Sequence, residues 1–104
     1  MSLTLLAKQQ PKAVSALYKL KHEAFQDGAL SAKEKSLMAV SISCLLRCEE
    51  CLETWASRAK EQGATLDELR EAMLVAMYLA GPASVVWTSK VDEILGGPVD
   101  ETKD

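Results

Sequence analysis

All five glycines and all three prolines of this chain fall where a helix would begin or end, and that punctuation is its strongest constraint. It divides the chain into five segments, each of which reads as a helix. The first opens at Pro11, carries Val14, Leu17, Tyr18 and Phe25 on one stripe, and stops at Asp27-Gly28. The second starts with a capping box, in which Ser31 and Glu34 satisfy each other's free backbone N–H groups. From Leu37 to Leu46 it is apolar almost all round, so it is expected in the middle of the fold. The third, Cys48 to Gln62, is polar on one side and carries Cys51, Leu52, Trp55, Ala56 and Ala59 on the other, with Gly63 as its C-terminal cap. The fourth begins with a second capping box, Thr65 and Glu68, and faces inward through Leu69, Ala72, Met73, Ala76 and Ala80. Gly81-Pro82 ends it and opens a fifth helix through Ile94 and Leu95 to Gly96-Gly97-Pro98, although Val85-Val86-Trp87-Thr88 would pass locally for a strand. The expected fold is all-α, about five helices in a single domain over residues 1–104, with a charged, frayed tail over 99–104.

The chain is 48% hydrophobic and 26% charged, which excludes a disordered tail, a collagen-like repeat or a disulfide-packed miniprotein. Twelve basic against fifteen acidic residues give a net charge of −3, with no basic stripe, so nucleic acid is not an expected partner. The N-terminal apolar stretch is too short for a signal peptide, and Leu37–Leu46 is half the ~20 residues of a membrane span. No membrane partner is expected, and the cytoplasm is the expected compartment. Small residues at Ala56, Ala59, Ala72, Ala76 and Ala80 let helices approach closely, within one chain or between chains. Five short helices have limited means to cover one fully apolar helix, so a homo-oligomer is expected.

The chemistry concentrates in Cys44-Leu45-Leu46-Arg47-Cys48-Glu49-Glu50-Cys51. The spacing C-x3-C-x2-C matches the iron–sulfur motif of radical S-adenosylmethionine enzymes, but that chemistry needs a barrel-sized domain and a loop carrying all three thiolates. A zinc site would need a fourth ligand, and the single histidine, His22, reads as a solvated position near Lys19 and Lys21. No metal and no cofactor are expected. A redox Cys-x-x-Cys at a helix start fits better: the sulfurs can cross-link, and the free N–H groups of the terminus stabilise a thiolate. Arg47 would add to that effect, while Glu49, Glu50 and Glu53 oppose it. Cys44 reads as a buried apolar filler, a role also open to Cys48 and Cys51.

Leu30-Ser31-Ala32-Lys33-Glu34-Lys35, the apolar helix, Arg47-Cys48-Glu49-Glu50-Cys51, Ala59 through Gly63-Ala64-Thr65 and Glu68-Leu69 together resemble the alkylhydroperoxidase D/carboxymuconolactone decarboxylase family. The resemblance covers a core of about 30–95. It implies an all-helical, alkylhydroperoxidase-like fold and a homo-oligomer, a hexamer or trimer of dimers. It also implies thiol–disulfide oxidoreductase chemistry on a peroxide or disulfide substrate, with a thiol protein as electron donor. By that resemblance the catalytic pair is Cys51, the attacking thiolate, and Cys48, the resolving thiol. Two positions depart from the family's pattern: the histidine slot four residues after Cys51 holds Trp55, and the glutamate slot twelve residues before Cys48 holds Ser36. An indole can donate its N–H and pack but cannot accept a thiol proton. A rival expectation is therefore a family member that has lost efficient peroxidase activity and acts as an oligomeric binding or assembly module. Decarboxylase-like chemistry in the same fold does not depend on the cysteine pair and is set aside.

Overall fold

In the computed structural model, which describes residues 2–90, the chain runs α1 (Leu3–Gln9), α2 (Pro11–Ala24), α3 (Ala32–Leu46), α4 (Glu49–Glu61), α5 (Leu66–Ala80) and α6 (Ala83–Val86), followed by a 3₁₀ turn (Trp87–Lys90). No strand occurs among the described residues. The strand-like Val85–Thr88 stretch is helical because three local bonds close it: Ser84 and Thr88 donate their hydroxyls to the Gly81 and Val85 carbonyls, and Trp87 donates Nε1 to the Ser84 carbonyl. The expected continuation through Ile94 and Leu95, and the tail, lie outside the described residues. Helix α1 precedes the first segment marked by the punctuation, and Ser2 caps it by accepting the Leu5 N–H at 3.1 Å.

Both capping boxes form. Ser31 and Glu34 exchange bonds of 3.0 and 2.9 Å, and Thr65 and Glu68 exchange bonds of 3.1 and 2.9 Å. The Ser31 amide holds the Glu34 carboxyl below the usual carboxylate range. Lys33, 2.8 Å from Glu68 and donating to it across from α3 to α5, does the same there. Gly63 and Gly81 end α4 and α5 with φ of 96° and 85°, values an L side chain adopts only with strain.

Helix α3 is the centre of the arrangement, packed against α4, α5 and α6. Its Val40 and Cys44 meet Leu52, Ala56 and Ala59 of α4 and Leu69 and Ala76 of α5 in one buried cluster. The alanines are what allow three helices to meet this closely, although Ala80, read as part of the same face, is exposed. Two serines of α3 are also buried. Ser43 bonds the Ala39 carbonyl one turn back, and Ser36 donates to Gln62 Oε1 at 2.7 Å. The central position expected for the apolar Leu37–Leu46 run is therefore half realised within one chain: Met38, Ile42, Leu45 and Leu46 remain exposed. The stripe assigned to α2 is likewise mostly open, with Val14 buried, Leu17 and Tyr18 exposed, and Phe25 half-buried.

Candidate functional site

The reversal between α3 and α4 takes only Arg47 and Cys48. Arg47 adopts a left-handed conformation, φ 53°, where a helix end usually places glycine, and it turns the chain sharply enough to set Cys48 at the N-cap of α4. Cys51 is the third residue of that helix, and its backbone N–H donates to Cys48 Sγ at 3.2 Å. The two cysteines are joined in a disulfide with their Cα atoms 5.2 Å apart, both side chains half-buried. Cys44, in the last turn of α3, is fully buried as a free thiol, and burial pushes its pKa up. A thiol held protonated in the core is a poor nucleophile. Of the three cysteines, then, Cys48 and Cys51 are bonded to each other, and Cys44 fills the core.

The Arg47 side chain hydrogen-bonds away from the cysteine pair. Its guanidinium reaches across to α6 and donates to the Ala83 carbonyl at 2.9 Å. The N-terminus of α4, whose backbone N–H groups carry partial positive charge, favours a thiolate at this turn.

Cys51 opens into an apolar cleft of about 480 Å³ between the end of α2 and the outer faces of α3 and α4; Cys48 does not line it. Phe25, Leu30, Met38, Ile42, Leu46 and Trp55 form most of its wall. The polar side chains on the wall are already engaged: Lys35 Nζ donates to the Gln26 carbonyl at 2.6 Å and Ser43 to Ala39. Among the described residues, no carboxylate or imidazole lines this cleft. Trp55, one turn after Cys51, stacks on Phe25 with ring centroids 4.0 Å apart and planes 17° from parallel. Ser36, in the other departing slot, turns to Gln62, two helical turns beyond Trp55 on α4.

A second, smaller hollow of about 340 Å³ lies beside the first and shares Phe25 with it. Tyr18, Lys21, His22 and Gln26 contribute from α2 and the turn after it, and Arg58 from α4. His22 is exposed there, as its sequence context suggested; its meeting with Arg58 had no signal in the sequence.

Known proteins place this geometry in a family. The model of the carboxymuconolactone decarboxylase family matches residues 11–92, most of the chain and all of the elements that build the site. The chain belongs to the carboxymuconolactone decarboxylase family. It is 32% identical over 85 residues to an uncharacterised protein of Cupriavidus necator, covering 82% of this chain and 75% of that one. It is 34% identical over 76 residues to uncharacterised protein 4 of the cox locus of Paracoccus denitrificans, covering 69% and 68%. A carboxymuconolactone decarboxylase family protein of Legionella pneumophila, solved in its apo form, superposes with a TM-score of 0.81 at 26% identity, over 90% of this chain and 84% of that one. One from Thermotoga maritima, whose own suggested involvement is in antioxidative response, superposes with a TM-score of 0.80 at 23% identity, over 90% and 80%. The second of these likenesses speaks for the fold alone.

Proposed function

We propose that this carboxymuconolactone decarboxylase family chain is a thiol–disulfide oxidoreductase that reduces organic hydroperoxides, or a partner's disulfide, through Cys51 and Cys48. The observation that carries this reading is that Cys51, and not Cys48, faces the apolar cleft while the two sulfurs are within bonding reach. In the reduced state the Cys51 thiolate attacks the distal oxygen of the hydroperoxide. The O–O bond breaks, the alcohol leaves with a proton, and Cys51 becomes a sulfenic acid. The Cys48 thiol then attacks that sulfur and expels water, closing the disulfide. Two electrons from an external dithiol protein return the pair to its reduced form. A reducing cytoplasm suits that cycle, and residues 1–104 act as one domain.

The test is oxidation of the reduced protein by an organic hydroperoxide, followed by alkylation and peptide mapping. The expected product is a Cys48–Cys51 bond with one alcohol formed per disulfide, and Cys44 alkylated only after denaturation. Cys51→Ser should consume no peroxide, and Cys48→Ser should stop at a sulfenic acid on Cys51. Consumption by Cys51→Ser at the parent rate, or a bond to Cys44, would overturn the assignment.

One observation favours the rival reading, an assembly module with slow peroxidase chemistry: Trp55 stands in the cleft where the family's redox branch has a base. Both readings share a homo-oligomer, proposed as a hexamer. Its support is the apolar surface that one chain leaves open on α5, above all Tyr78 at 88% and Leu79 at 71% exposure, with Leu74 and Val75 beside them. Sedimentation equilibrium at micromolar concentration should give a mass several times 11.3 kDa. A clean monomer would remove the oligomer from both readings.

A further inference from the structure

The two neighbouring hollows differ in chemistry in a way that specifies a ligand. The hollow that holds Cys51 is walled by hydrocarbon and aromatic rings. The one beside it gathers Lys21, His22 and Arg58, with the Tyr18 phenol and the Gln26 amide. Among the described residues, none of these three basic side chains forms an ion pair with a carboxylate, unlike Lys33 with Glu68 and Arg70 with Asp67. On a chain of net charge −3, such a cluster of basic groups without acidic partners stands against the overall balance. The hollows also meet at one place. Phe25 lines both, and the Trp55 ring stacked on it lies 5.5 Å from Lys21 Nζ and 5.6 Å from the Arg58 guanidinium carbon. An apolar chain lying in the first hollow therefore has cationic donors at its end.

We infer that the site takes an amphipathic organic acid, its carboxylate held by Lys21 and Arg58 with His22 beside them, and its hydrocarbon part laid along the Phe25–Trp55 pair toward Cys51. Arg58 supplies the forked N–H geometry that matches a carboxylate, and Lys21 a point charge. The position of Trp55 gains a purpose in this arrangement. It joins the wall of the tail's cleft to the cations of the head's, a task an imidazole would do with less apolar area. That the reacting group of such an acid is a hydroperoxide rests on the function proposed for Cys51; the binding of the acid does not.

The experiment is equilibrium dialysis of the intact, reduced protein at pH 7 against decanoate and, separately, decan-1-ol, two probes with the same tail and different heads. Decanoate is expected to bind about three- to tenfold more tightly, the scale of solvent-accessible ion pairs from Lys21 and Arg58. Raising the salt from 50 to 500 mM should erase most of that preference, and the Lys21→Gln/Arg58→Gln double variant should erase it without salt. The salt arm uses the parent protein and stands even where the variant fails to fold. Equal affinity for the two probes at low salt, or a decanoate preference that survives both salt and the double variant, overturns the inference. A decanoate preference in a protein that forms no Cys48–Cys51 bond with any hydroperoxide upholds the acid site and defeats the redox reading instead.

Discussion

Trp55→His is expected to raise peroxide consumption at pH 7 by about ten- to a hundredfold. Position 55 is one turn after Cys51 on α4, and both side chains line the same cleft, so an imidazole there stands beside the sulfur. A thiol with the reference pKa of ~8.5 is only a few per cent thiolate at neutral pH, and an indole cannot take its proton. The N-terminus of α4 supplies some stabilisation, on the scale of ~0.3–1 kcal/mol, less than one pKa unit. The apolar wall opposes it, because desolvation disfavours the charged sulfur. A positioned general base is worth ~10²–10⁴ in rate. The gain is placed below that range, reaching only its lower bound, because Ser36, in the slot that would hold the family's carboxylate, is bonded to Gln62 and gives an imidazole no acidic partner. The measurement is the initial rate of alkyl hydroperoxide loss with excess dithiol, for the parent, Trp55→His and Trp55→Phe, all shown to have the same sedimentation mass. Trp55→Phe keeps the stack on Phe25 and should be no faster than the parent. A parent already as fast as Trp55→His would mean that another base serves Cys51.

Leu52→Ala is expected to cost about 2–5 kcal/mol, the range for deleting a large buried aliphatic side chain. Leu52 has 0% exposure and sits among Val40, Cys44, Ala56 and Leu69, where α3, α4 and α5 converge. Its neighbours there include alanines, which cannot swing into the space it leaves, so the cavity persists. Against the ~5–15 kcal/mol of a whole domain, that loss removes a large share of the folded population. It also loosens the helix that carries Cys51, so activity should fall with stability. Denaturant midpoints at fixed protein concentration would measure it, since assembly makes apparent stability depend on concentration. Glu71→Ala, at an exposed position of α5, is the control and should stay within about 0.5 kcal/mol. A Leu52→Ala protein as stable as that control would mean that the three helices do not pack as described.

What the sequence determined by itself was whatever is settled within about one helical turn. The capping boxes at Ser31 and Thr65 pair residues three apart, and both form as their spacing requires. The starts and stops at Pro11, Gly63 and Gly81 hold for the same reason, since they depend on the conformational range of single residues. The sequence showed that Cys48 and Cys51 could pair, because two intervening residues at a helix start bring the sulfurs within cross-linking reach, and the apolar setting of Cys44 marked it for the core. The tertiary structure decided the rest, where side chains meet from different helices. Arg47 stands next to Cys48 in the chain, yet its guanidinium is fixed by a carbonyl 36 residues away. Ser36 is bound to Gln62, 26 residues on. The stack of Phe25 on Trp55, and the meeting of Lys21 and His22 with Arg58, depend on how the end of α2 crosses α4. No residue of α2 belongs to the buried cluster around Leu52, so that crossing rests on contacts between distant side chains such as the Phe25–Trp55 stack, and a one-dimensional pattern of spacings carries each helix's own apolar face but not the angle at which two faces meet.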